Sequence, residues 1–176
     1  VLKALLEIPE KMNKILGKSE DLKKIAEKYQ KYQNILFLGR GVNYPVALEG
    51  SLKLKEISYI HSEAFAGGEL KHGPLALVNE NMPVVAILTK NQLYDKMKSN
   101  IEEVKARGAK IILISSEGDK EAAELADDIF YVPKTMELLE PLLNTIPLQL
   151  FAYYVAVALS RDVDRPRNLA KSVTVE

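Results

Sequence analysis

Residues 35–45 read Ile35-Leu36-Phe37-Leu38-Gly39-Arg40-Gly41-Val42-Asn43-Tyr44-Pro45. Four consecutive apolar residues ending on a glycine form the pattern of a strand buried on both faces, as in a parallel sheet. The turn then runs to Pro45, a residue at home in the first turn of a helix, and residues 47–59 carry helical periodicity. A strand that turns directly into a helix is half of a βαβ unit. The pattern continues along the chain. Runs at 59–65, 83–88, 110–114 and 128–132 read as further strands, and 91–107 and 120–126 as helices, with Gly108 as a stop signal. This alternation predicts a doubly wound α/β domain with a parallel sheet flanked by helices. Ligands of such sheets sit outside the carboxyl ends of the strands, where strand order reverses. Chemistry is therefore expected in the loops after Leu38, Phe65 and Leu88.

Around this core lie three flanking segments. Residues 1–32 form a helical arm: Pro9 opens a short helix through Leu16, and Ser19 caps a charged helix, Glu20 to Lys31, with Leu22, Ile25, Ala26 and Tyr29 on one stripe. A long apolar helix over 137–160 closes the core and is expected to kink or break at Pro147. Everything after Arg161 reads as a non-helical tail. The expected limits are 1–32 for the arm, 33–162 for the core domain and 163–176 for the tail.

Composition narrows the function classes. The chain has 176 residues, enough for one well-buried domain. Lys plus Arg equals Asp plus Glu at 24 each, which argues against a general nucleic-acid binder. Cysteine is absent, which excludes disulfides, thiolate metal sites and cysteine nucleophiles. The longest clean apolar run, 150–159, is too short to cross a bilayer, and no signal peptide opens the chain, so a cytoplasmic protein with no membrane contact is expected. The first residue is Val1, which points to a chain processed or cut from something longer.

Four segments could carry chemistry. The turn at 39–45 reads either as an anion-holding loop or as a plain strand-to-helix turn; it matches neither GxGxxG nor a phosphate-binding P-loop. Glu49, Lys53 and Glu56 fall on one helical face, and spacing alone favours a solvated salt-bridge ladder over a proton-transfer carboxylate tuned by an ammonium. The segment 64–74 holds His72 in a loop dense in Gly, Glu, Lys and Pro, either exposed or functional; His61, in an expected strand, is read as structural. No spacing suggests a metal. The terminal segment RPRNLAKSVTVE (165–176) alternates apolar and polar residues around Lys171, so it is expected to dock rather than fray. A lysine there becomes a carbonyl-directed nucleophile once its pKa falls from about 10.4.

Taken together, LGRGVNYPVALEGSLKLKEISYIHSEAFAGGELKHGPLAL (38–77) and the terminal segment resemble the carboxyl-terminal half of the glucosamine-6-phosphate synthase family, the isomerising glutamine–fructose-6-phosphate aminotransferases. The resemblance implies a sugar isomerase (SIS) domain with a flavodoxin-like five-stranded parallel sheet. In that family a glutaminase domain releases ammonia, and two tandem SIS domains convert fructose 6-phosphate and ammonia into glucosamine 6-phosphate without a cofactor or metal. Carried onto this chain, Glu56 matches the base that moves a proton between C1 and C2, and Lys53 its neighbouring lysine. His72 matches the ring-opening histidine, supplied by the adjacent subunit of a homodimer. Lys171 matches the lysine that forms a Schiff base with the open-chain ketose, and Ala170, Lys171 and Glu56 would meet substrate. The tail would then be a lid over the carboxyl ends of the strands, anchored by Leu169, Val173 and Val175.

The departures are equally specific. The glutaminase cysteine is absent, and so is the first SIS domain with its Ser/Thr-rich phosphate loops; after Leu88 the chain reads Thr89-Lys90-Asn91-Gln92. The expectation is the second SIS domain of such an enzyme, with little activity alone. Its partners would be the first SIS domain and the glutaminase domain. The alternatives are a stand-alone SIS-fold isomerase or a regulatory module that binds sugar phosphates. A pure sensor has no need of a Schiff-base lysine.

Overall fold

The structure is a computed structural model that describes residues 1–169. Three helices lead in: α1 (Leu2–Leu6), α2 (Ile8–Leu16) and α3 (Ser19–Tyr29). Strands and helices then alternate through β1 (Asn34–Gly39), α4 (Asn43–Ser58), β2 (His61–Ala66), β3 (Val84–Leu88), α5 (Tyr94–Lys105), β4 (Ile111–Ser116), α6 (Lys120–Leu125), β5 (Asp128–Val132) and α7 (Glu140–Ala158). Between β2 and β3 the chain makes two 3₁₀ turns, Gly67–His72 and Pro74–Leu77. The five strands form one parallel sheet in the order β2-β1-β3-β4-β5, so order reverses between β1 and β3. The expected α/β class, parallel sheet and flanking helices are all present.

The central strands β1, β3 and β4 are apolar over most of their length because helices cover both faces, whereas the edge strand β2 carries the exposed His61 and Glu63. Ile35, Phe37, Val85, Ile87, Ile112 and Ile114 point to the face carrying α2, α3, α4 and α7. Their alternates Leu36, Leu38, Val84, Ala86, Leu88, Ile111 and Leu113 point to the face carrying α5, α6 and the first 3₁₀ turn. The helical arm is part of the first layer: Ile15 and Leu22 are fully buried in that core.

Several boundaries differ from the sequence expectation for local reasons. Ser19 is the first residue of α3 and not its cap; the flanking Lys18 makes no side-chain cap bond. Gly17 keeps a near-helical backbone (φ −63°, ψ −16°), so the α2–α3 joint offers Ser19 no extended backbone from which to cap. Helix α4 begins at Asn43 and ends on Tyr59 in a left-handed conformation (φ 66°), which delays β2 to His61. Asn91 accepts a bond from the Leu93 amide through its side chain (2.9 Å) and holds 91–93 outside α5. Helix α7 runs without interruption through Pro147. Burial of Leu143, Leu148, Phe151 and Val155 offsets the amide lost at Pro147. The segment 137–158 is long and apolar enough to cross a membrane by composition, but here it is the central helix of its layer, packed on α3 and α4.

Candidate functional site

The strand-to-helix turn after β1 is not an anion loop. A Cβ on Gly39 would stand 2.1 Å from the Asn43 carbonyl oxygen, so only glycine allows the first turn of α4 this close to β1. The amides of Asn43 and Tyr44, which would cradle an anion, donate to the carbonyls of Arg40 (3.1 Å) and Gly41 (3.1 Å).

A polar network that the sequence reading missed fills the point where strand order reverses. Glu140, at the start of α7, is buried with Asn43, Thr89 and Asn144. Its Oε2 accepts from Thr89 Oγ1 (2.7 Å), Asn43 Nδ2 (2.9 Å) and Asn91 Nδ2 (2.9 Å). Asn144 Nδ2 donates to Asn43 Oδ1 at 2.8 Å. A carboxylate thus occupies the crevice in which such sheets ordinarily receive ligands, and it disfavours an anionic guest there. The available signal was a polar pair, Glu140 and Asn144, four residues apart on one face of a mostly apolar helix.

Lys53 and Glu56 do come together. Lys53 Nζ donates to Glu56 Oε2 at 2.7 Å and stands 4.0 Å from Glu49 Oε1. The bond to Glu56 holds the Lys53 ammonium above the ordinary lysine value; burial opposes the shift and the Glu49 charge assists it. Lys53, Glu56 and Ile57 form one wall of a cleft of about 600 Å³, and Arg165, Pro166 and Leu169 of the tail form the other.

The position of this cleft corrects the sequence expectation. Helix α4 starts after Gly39, at the carboxyl end of β1, and runs back to His61, which pairs with Asn34 at the amino ends of the strands. Glu56, near the end of α4, therefore lies at the amino end of the sheet. The described part of the tail lies there too: the Arg167 amide donates to the Tyr59 hydroxyl at 2.9 Å. The tail up to Leu169 does not cross the carboxyl ends of the strands. Ala170, Lys171, Val173 and Val175 lie outside the described residues.

His72 is not brought to this cleft. It ends the first 3₁₀ turn, which packs on α5 through Leu70 and the Lys71–Glu103 ion pair (2.8 Å), on the opposite face of the sheet from α4. Its side chain is 73% exposed and stands 4.0 Å from the Glu69 carboxylate. An exposed imidazole on the far face cannot meet its own chain's Glu56 but is free to meet another molecule. Among the described residues no cluster of His, Asp and Glu has the arrangement of a metal site.

Comparison with known proteins fits this architecture. The model of the SIS domain family matches residues 28–159. A glutamine–fructose-6-phosphate aminotransferase (isomerizing) of Thermus thermophilus is 54% identical over 176 residues, all of this chain and 29% of that protein. One of the same name from Clostridium tetani is 55% identical over 172 residues, 98% of this chain and 28% of that protein. The solved C-terminal domain of glucosamine-fructose-6-phosphate aminotransferase from Francisella tularensis superposes with a TM-score of 0.88 at 43% identity, covering 93% of this chain and 46% of that one. The chain spans less than a third of the length of the curated relatives it matches.

Proposed function

The chain belongs to the SIS domain family, and we propose that it supplies the second sugar-isomerase half of an isomerising glutamine–fructose-6-phosphate aminotransferase. Its partners are then a first SIS domain, which grips the sugar phosphate, a glutaminase domain, which delivers ammonia, and a second copy of the chain, in a cytoplasmic setting. The observation that carries this reading is the Lys53–Glu56 pair, held at 2.7 Å in a cleft walled by the root of the tail that leads to Lys171. The full-length similarity to enzymes of that name supports it.

The chemistry assigns each group a role. The neutral amine of Lys171 condenses with the C2 ketone of open-chain fructose 6-phosphate and releases water. Ammonia then displaces the lysine from the imine. Glu56 takes a proton from C1 and returns it at C2, which leaves the amine on C2 of the aldose. Lys53 holds the Glu56 carboxylate in place until substrate arrives. His72, reaching over from the second copy, protonates the ring oxygen as the sugar opens.

The deciding experiment replaces Glu56 by Gln in the full-length enzyme. Loss of the proton carrier should lower kcat by about 10²–10⁴ with substrate affinity kept. A variant of normal kcat and altered melting temperature would leave Glu56 a mere ladder residue and end this reading.

A further inference from the structure

A second concavity lies around Tyr59. Its left-handed backbone ends α4 and presents its ring to the tail. The Arg167 and Arg161 guanidinium carbons lie 4.2 and 5.3 Å from the ring centre, and the Tyr59 hydroxyl accepts the Arg167 amide at 2.9 Å. A guanidinium laid on an aromatic face is attracted to it and restrained by it, while its N–H edge stays free for an acceptor. Tyr59 thus organises two arginines before any ligand arrives.

Both arginines and Lys31 line an open cleft of about 480 Å³, together with Gln33, Asn34 and His61. Among the described residues no aspartate or glutamate lines it. Among the described residues, neither arginine nor Lys31 has a carboxylate within ion-pair distance, whereas Lys11, Lys18, Lys53, Lys71 and Lys110 each have one. The chain as a whole has zero net charge. Three cations without a carboxylate partner among the described residues therefore surround one hollow and form a local positive field, which a concave wall focuses. The cleft shares no lining residue with the one that holds Lys53 and Glu56.

We propose that this cleft is an anion site for a small phosphate-bearing molecule, separate from the Lys53–Glu56 cleft. A phosphate monoester is a dianion with three acceptor oxygens, so it can meet two guanidinium forks and an ammonium at once. A lone carboxylate satisfies only one fork. The hollow has the size of a small-molecule site, with the amide side chain of Gln33 on its lining and Asn34 Oδ1 held by His61 Nδ1 at 3.1 Å.

The test is calorimetric titration of the 176-residue chain at low ionic strength with inorganic phosphate, glycerol phosphate and acetate. Saturable binding of both phosphates, and much weaker binding of acetate, is expected. Arg161→Gln and Arg167→Gln should each raise the dissociation constant about tenfold or more, while Lys24→Gln on α3, outside the cleft, should leave it unchanged. Far-ultraviolet circular dichroism checks that each variant is folded, and Lys31→Gln, which leaves the tyrosine stack intact, is the fallback if either arginine variant is not. Three outcomes overturn the proposal: no saturable phosphate binding, acetate bound as tightly as phosphate, or phosphate affinity unmoved in the folded cleft variants.

Discussion

Two carboxylates in this domain have opposite settings, and each makes a prediction. Glu56 is half-buried beside an ammonium at 2.7 Å. The Lys53 pKa is raised, first by that hydrogen bond, against burial and with help from Glu49. A lysine with a raised folded-state pKa contributes stability that is fully present below its unfolded value, about 10.4, and is lost as pH rises through the folded value. A solvent-accessible pair is worth at most about 1 kcal/mol. The stability difference between the parent chain and Lys53→Gln should therefore be small and flat from pH 7 to 9 and shrink above about pH 10.4. Urea unfolding at pH 7, 9 and 11 reads this, and a difference that widens toward pH 11 would contradict the direction of the shift. Among the described residues Glu140 has no cation partner; three neutral side-chain donors converge on one of its oxygens. Glu140→Ala leaves buried donors orphaned and should cost about 2–4 kcal/mol. For a domain of this length that is roughly a 5–15 °C fall in Tm, readable by calorimetry. A loss below a few tenths of a kcal/mol would mean that water replaces the network at no cost.

The joint between β1 and α4 leaves no room for a side chain, because the Gly39 Cα faces the Asn43 carbonyl. Gly39→Ala should stop α4 from docking and drive the chain into the insoluble fraction or an expanded state, seen as lost near-ultraviolet dichroism; a folded Gly39→Ala of ordinary Tm would show that the turn can open. This joint also marks how far the sequence could be read. Ile35–Leu38 and the runs at 84–88 and 111–114 announced themselves because both faces of those strands are buried, which leaves nothing polar to confuse the pattern. Element ends were less visible, since they depend on single side chains and backbone choices: the Asn91 bond to the Leu93 amide and the left-handed Tyr59. The Lys53–Glu56 pair was readable because both residues lie on one helix three positions apart. Its place at the amino end of the sheet was lost under the general rule that ligands sit at carboxyl ends. Of the Glu140 network only the Glu140–Asn144 spacing was visible in the sequence, since its members come from three separated segments and meet only after the sheet has formed.

The sheet itself separates the proposed groups, and that bears on assembly. Glu56 sits on the α4 side at the amino end, and His72 on the α5 side, exposed and turned to solvent. No side-chain rotation brings an imidazole through a layer of buried Leu36, Leu38, Val84 and Ala86. If both groups serve one reaction, a second copy of the chain must supply one of them. Most such assemblies are two-fold symmetric, so the contribution is reciprocal: each copy lends its histidine to the other's carboxylate. Mixing full-length His72→Ala with full-length Glu56→Gln then has a numerical outcome. In a mixed dimer one site carries both replacements and the other carries neither. Random exchange at equal concentrations makes about half of the dimers mixed, each with one intact site, so activity should recover to about a quarter of the parent enzyme. Each variant alone should stay near its own low baseline. Subunit exchange is confirmed by native mass spectrometry on differently tagged chains. Mixed dimers without recovered activity would place His72 and Glu56 in separate tasks, and the histidine would then be an exposed loop residue with no part in the reaction at Glu56.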